Sequence, residues 1–276
     1  MRLRLTLSFL VGMFLPLNLA FGQDVRSRIL EDATLSEEVQ TRVTMYGLGY
    51  SNVYDTYLSP QEYKGMEARI LRESMKKTHM LDGGLNRQTL FHASLSYTKN
   101  KADNNHTISA LASWNYGYLY NLPLGSKLKV LAGGLGNISG GFTYNLRNGN
   151  NPASLRASLS LDASAMVLYD LQVGNMTIPL RYQLSFPLLG LRFSPHYGQS
   201  YYEIFCQDDA KGTIKLTTPV SVPSTMHLLT ADIPFKKFTL RCAYMMALEQ
   251  SSLSGIRTHH YSHTLMVGVI KQFLRL

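Results

Sequence analysis

The stretch LFHASLSY places His92 and Ser94 two residues apart, with Phe91, Ala93, Leu95 and Tyr97 alternating around them. In an extended strand residues i and i+2 share a face, so an imidazole there can reach a hydroxyl and take its proton. His92 and Ser94 are therefore the catalytic candidates, with the residue types of an activated nucleophile and its base. No third residue is marked to orient the imidazole; Asn104 and Asn105 are only loop candidates. The same alternation turns both side chains away from the apolar face, and a polar lining is the favoured reading of the pair.

Other groups invite the same weighing. His259, His260 and His263 in THHYSHT form the densest histidine group. His259 and His263 share a face of an extended segment but lie about 13 Å apart by strand rise, too far for one metal ion. A wet loop or rim is expected there, with no metal and no cofactor. Arg156, Asp162 and Arg181 fall on the polar faces of neighbouring strand-like segments. Inside a narrow barrel opposite charges pair, because an isolated buried charge is expensive. The aromatic, nearly uncharged FSPHYGQSYYEIF (193–205) offers His196, Tyr197, Tyr201 and Tyr202 as binding-loop candidates. Exposed tyrosines are frequent binding anchors, and the alternative is a loop folded inward over a barrel mouth. Cys206 and Cys242 are too few for a disulfide framework and lack metal-site spacing, so two free thiols are expected.

The elements that must hold these residues follow from a two-residue rhythm. In SLRASLSLDASAM (154–166), Leu155, Ala157, Leu159, Leu161, Ala163 and Ala165 alternate with Arg156, Ser158, Ser160, Asp162 and Ser164. TISALASWNYGYLY (107–120) and TIPLRYQLSF (177–186) repeat the pattern. Ten strand-like segments recur between residues 41 and 274, without a convincing helical period after residue 41. Short gaps (81–87, 121–127, 171–177, 234–237) alternate with longer ones (51–65, 98–106, 137–152, about 187–225, 249–261). That is the pattern of an all-β transmembrane antiparallel up-and-down β-barrel, with short periplasmic turns, long extracellular loops and both termini on the short-turn side. Ten strands are preferred; YYEIF (201–205) and TIKLTT (213–218) allow twelve. MEARILRESMKKTHM (66–80) is the least regular strand, since Arg69, Arg72, Lys76 and Lys77 fall on both faces. The end is a second departure, with Phe273 followed by three further residues.

The chain of 276 residues is 45% hydrophobic and 16% charged, with a net charge of +9. Its basic residues are spread out, so nucleic acid is not an expected partner; anionic lipid headgroups are a better match. MRLRLTLSFLVGMFLPLNLAFG (1–22) has the charged start, apolar run and small residues of a secretory signal peptide. Residues 23–41 form a short periplasmic segment in this reading, and 42–276 the barrel.

Three stretches carry a family resemblance. At FSPHYGQSYYEIF (193–205), YNLRNGNNPAS (144–154) and SNVYDTYLSPQEYKG (51–65) the chain resembles a Bacteroidetes family of secreted proteins carrying a domain of unknown function. The resemblance covers most of the chain after residue 22. It implies export and an outer-membrane setting and brings no catalytic residues. His92–Ala93–Ser94 is similar to the arrangement in outer-membrane phospholipase A and some lipid A deacylases, where a His precedes the nucleophilic Ser by two residues. There the site faces lipid; here alternation turns the pair toward the lumen. The expectation is a monomer of the bacterial outer membrane with a structural or surface-binding role, touching membrane lipid and an extracellular glycan or protein. A lipid-modifying enzyme and a narrow solute channel are the alternatives, and ten strands lean toward a filled interior.

Overall fold

Strict apolar–polar alternation favours extended chain, because only a two-residue period gathers every apolar side chain on one side. The structure, a computed structural model, describes residues 39–274 apart from 79, 82–83, 124–127, 150 and 175. The expected signal peptide lies outside the described residues. β1 begins at Val39, inside the expected 23–41 segment.

The strands are β1 (Val39–Asp55), β2 (Ser59–Lys77), β3 (Leu85–Asn100), β4 (His106–Pro123), β5 (Leu128–Asn145), β6 (Ala153–Val173) and β7 (Met176–Phe193). A short helix α1 (Tyr201–Cys206) and strand β8 (Ile214–Thr217) follow. β9 (Thr225–Pro234), β10 (Thr239–Leu253) and β11 (Ile256–Leu274) complete the chain. Neighbours pair antiparallel, β7 bonds β9, and β1 bonds β11 from Val39↔Leu274 to Asp55↔Thr258. The result is a closed ten-stranded barrel with one extra strand, β8, which pairs only with the end of β7. The twelve-strand alternative fails because 201–206 is helical and β8 is four residues long.

Val39, Leu274 and the last residues of β2, β4, β6 and β9 lie at one end, here called the terminal end. The other, the cap end, carries 194–224. Two gaps expected to be long loops at that end, 51–65 and 249–261, close instead in tight turns of three and two residues. β1 and β2 join through Thr56–Leu58, where Asp55 Oδ1 accepts from the Tyr57 N–H at 3.0 Å. β10 and β11 join through Ser254-Gly255, both at positive φ (53° and 78°), the two-residue turn whose twist matches a hairpin.

Outward residues are those the alternation assigns to lipid: Leu95, Trp114, Leu159, Leu161, Tyr182 and Leu265 are all exposed. Tyr97, Phe142 and Tyr144 lie near the cap end of their strands; Tyr118, Tyr120 and Tyr169 lie near the terminal end. This spacing matches the aromatic girdles of a membrane barrel. Inside, strongly coiled strands approach each other closely. A Cβ at inward-facing Gly117 would sit 2.1 Å from the Gly134 carbonyl oxygen, so this position requires glycine.

Leu161 lies near the middle of β6 and Leu155 near its cap end. Leu161→Arg should cost about 2–4 kcal/mol in a lipid bilayer and Leu155→Arg at most about 1 kcal/mol. Urea unfolding in phospholipid vesicles, followed by the fluorescence of the single tryptophan, Trp114, gives the comparison.

Candidate functional site

The inward face of β2 reads Glu67, Arg69, Leu71, Glu73, and these four residues organise the lumen. All are buried. The irregularity that the sequence shows in this strand is therefore an interior charge row, with Arg72 on the outer face.

Toward the cap end, Glu67 Oε1 accepts from Arg69 Nη2 at 2.7 Å and Nε at 3.0 Å. Glu67 Oε2 lies 2.9 Å from His260 Nε2, and Thr264 Oγ1 donates to Oε1 at 3.2 Å. Arg69 Nη2 also donates to Ser262 Oγ at 2.9 Å, and Arg69 Nη1 lies 3.1 Å from His92 Nδ1. A guanidinium can only donate, so His92 Nδ1 is the acceptor and a neutral ring keeps its proton on Nε2. No lone pair then remains to take a proton from Ser94, and no hydrogen bond joins the two side chains. Both line the lumen, 8% exposed, without the geometry of a nucleophile and its base.

Toward the terminal end, Glu73 Oε2 accepts from Arg181 Nη2 at 2.7 Å and Arg241 Nη1 at 2.8 Å. Its other oxygen accepts from Gln88 at 2.8 Å. Arg241 also forks onto Asp232 through two bonds of 2.6 Å. Gln88 and Gln183 exchange amide bonds of 2.9 and 2.8 Å, and Gln183 reaches Ser164 at 2.9 Å. Between the two charge clusters lies an apolar layer that includes Met45, Leu71, Leu90, Leu228, Met245 and Met266. Both clusters satisfy the rule that buried charge needs several partners.

Arg156, Asp162 and Arg181 do not meet. Arg181 belongs to the Glu73 cluster; Arg156 forms a 3.8 Å ion pair with Asp55; Asp162 accepts from Ser160 at 2.6 Å. The three histidines diverge as well, and they sit on β11 and not in a loop. His260 is buried inside, whereas His259 stacks on Tyr261 with centroids 4.3 Å apart, and His263 Nδ1 lies 2.7 Å from Tyr244 Oη. Among the described residues no three His, Cys, Asp or Glu side chains form a metal cluster. Both cysteines are free.

The cap, 194–224, is fastened at several points. α1 starts with a capping box: Ser200 Oγ accepts from the Glu203 N–H, and the Glu203 carboxylate accepts from the Ser200 N–H at 2.6 Å. That backbone N–H and the Ser200 hydroxyl hold the Glu203 carboxyl below its usual range. Tyr201 is the anchor. Its hydroxyl accepts from the Leu155 N–H at 2.6 Å, and its ring stacks on Phe193 and Phe205. Tyr57 Oη donates to the Gln199 carbonyl at 2.9 Å, and burial pushes this phenol up to about 12. His196, Tyr197 and Tyr202 stay exposed, the two tyrosines at 70% and 65%. The four loop candidates thus divide into one anchor and three surface residues.

Sequence reading missed Glu67, Glu73, Asp232, Arg241 and Glu249. Its usable signal was the even spacing that puts opposite charges on one strand face, E-x-R-x-x-x-E, from Glu67 to Glu73. Glu73→Ala would leave Arg181 without a carboxylate. Loss of one member of a buried ion cluster costs about 3–5 kcal/mol, and a drop of that size is expected in urea unfolding of the variant.

The backbone is similar to outer-membrane barrels of known structure. The outer membrane protease OmpT of Escherichia coli superposes with a TM-score of 0.50 at 8% identity, over 87% of this chain and 98% of that one. The transport unit of the Escherichia coli autotransporter AIDA-I gives 0.42 at 11% identity, over 96% of each chain. What the likeness to the protease establishes is the fold. No curated protein matches the sequence. A family model does, over residues 5–276: the chain belongs to the family described as protein of unknown function (DUF3316).

Proposed function

We propose that this chain is a non-conducting barrel of the bacterial outer membrane that works as a surface-binding protein through its cap, with the cap end outside the cell. The observation that carries the reading is the contrast between the two parts of the interior axis. The lumen is blocked by two charge clusters and the apolar layer between them, while the cap is held rigid and presents unpaired aromatic surface. Tyr197 and Tyr202 stand on a segment already ordered by the Tyr201 stack and the Ser200–Glu203 box. A ligand therefore meets pre-ordered anchors, which lowers the entropic cost of binding. An extracellular glycan or protein is the class of partner such a surface suits, and the export signal read in residues 1–22 is consistent with this placement.

A solute channel has less support, because the path past Leu71, Leu90 and Met245 is packed shut. A lipid-modifying enzyme built on His92 and Ser94 has less support too, since Arg69 occupies the imidazole lone pair.

Purified protein in planar bilayers should show no stepwise single-channel current; steady unitary conductance would end the non-conducting reading. On arrays of glycans and surface proteins, the binding found for the parent chain should fall about tenfold or more in Tyr197→Ala with Tyr202→Ala, the loss typical of truncated aromatic anchors. Full retention by the double variant would remove the cap from the binding role.

A further inference from the structure

The barrel wall is incomplete at one place. β7 pairs with β9 as far as Ser185↔Met226 and with β8 only from Gly190↔Thr217. Phe186–Leu189 therefore have no strand partner on that side. Pro187 has no N–H to offer a ladder in any case. On the opposite edge of β7 the register slips, pairing Leu161 with Leu189 and Asp162 with Pro187 and leaving Leu188 as a bulge.

The chain facing this gap, 218–224, bonds elsewhere. The Ser221 and Val222 N–H groups turn back to the Thr218 carbonyl, and the Ser252 N–H reaches the Ser221 carbonyl of the same segment. None of its backbone bonds reaches Phe186–Leu189. A cavity of about 130 Å³ runs from the lumen to this gap, bounded by Arg156, Asp162, Arg192 and Glu249 inside and by Pro187 and Val222 at the wall.

The charges inside are incompletely paired. Arg156 is 7% exposed, yet its Nε and Nη2 have no hydrogen-bond partner, and its ion pair with Asp55 is long at 3.8 Å. The side chains of Arg192 and Glu249 form no hydrogen bond or ion pair with any described residue, although their backbones are paired in the sheet. Asp162 accepts only from Ser160. Two guanidiniums and two carboxylates thus face one buried space with capacity left over, which a ligand carrying both signs of charge would use. Outside, the gap is framed by apolar surface: Leu188, Leu189, Leu191 and Leu216 are exposed, and Val220 is 90% exposed.

We propose that the gap is a lateral portal for a zwitterionic phospholipid. The phosphate passes inward to Arg156 and Arg192, the ammonium to Glu249 and Asp162, and the acyl chains stay outside against the leucines and Val220. A guanidinium pair suits phosphate oxygens because its N–H forks match their geometry. The apolar frame is what selects an amphiphile over a free solute of the same head chemistry. The proposal rests on the membrane setting of the preceding reading and is independent of ligand binding at the cap.

The test is native mass spectrometry of the full chain released from detergent micelles. Heat-modifiable gel migration first confirms the folded barrel, so failure of the barrel reading is seen separately. Dioleoylphosphatidylethanolamine should give a one-to-one adduct, weakened at least about tenfold by Arg156→Gln with Arg192→Gln, as expected for lost charge-assisted bonds. Arg192→Gln alone removes no interior ion pair, so it stands in if the double variant does not fold, and Arg192→Lys should retain the adduct. Dioleoylglycerol, which lacks the head, and O-phosphoethanolamine, which lacks the chains, should each bind at least about tenfold more weakly than the phospholipid. The proposal is overturned by absence of the phospholipid adduct or by equal binding of either fragment. An unweakened adduct in the glutamine variants overturns it as well.

Discussion

Backbone hydrogen bonding at the seam between β1 and β11 is the constraint on which the rest of the molecule depends. An open edge inside hydrocarbon leaves a row of amide groups with no partner, and water is absent there to supply one. Closing the seam over the whole of β1 removes that edge. It also fixes the width of the barrel at ten strands, and with it the size of the interior. At that width side chains from opposite walls meet: Gln88 of β3 reaches Gln183 of β7, and Glu73 of β2 reaches Arg241 of β10. The lumen is therefore a core, and it must obey the packing and pairing rules of one.

Those rules explain its layering. Each interior carboxylate that lies deep, Glu67 or Glu73, draws donors from two or more strands, so the charge clusters lock strands together across the axis. Methionine and leucine fill the space between the clusters. These apolar side chains violate the simple apolar-out, polar-in pattern of a wide channel. They are expected where side chains from opposite walls meet, because a layer packed like a protein core is filled best by groups that need no hydrogen-bond partner.

Alternation made the wall legible from sequence and left the lumen obscure. β6 is the clear case: Leu155 to Ala165 outward and Arg156 to Ser164 inward is a local pattern, and the structure follows it. Which inward charge meets which is not local. Arg156 and Asp162 share a strand face, yet Arg156 is paired with Asp55 of β1 and Arg181 with Glu73 of β2, contacts set by closure and register. β2 looked irregular because Leu71 interrupts its charges on the inner face while Arg72 stands outside. The tight turns were misjudged for a different reason. Ser254 carries a positive φ that glycine or asparagine would have advertised, and Asp55 supplies a side-chain bond that residue type alone does not reveal. The histidines of β11 followed the same logic, since a strand continuing through THHYSHT sends His260 inward and its neighbours out.

The cap and the wall gap have one origin. β9 has 10 residues where β10 has 15 and β7 has 18, so β7 and β10 run past the point at which β9 begins. The chain between them carries Pro219 and Pro223, which cannot donate to a ladder, and it spans the notch as turns. β8 restores four residues of pairing at the top of β7, and α1 is held against the barrel by the Tyr201 stack. A uniform barrel would have sealed Arg156, Arg192 and Glu249 behind a continuous sheet. Shortening one strand exposes this charged pocket at the wall and, in the same stroke, lengthens the connection that becomes the cap. The departures from ideal barrel geometry are thus concentrated along β7–β10.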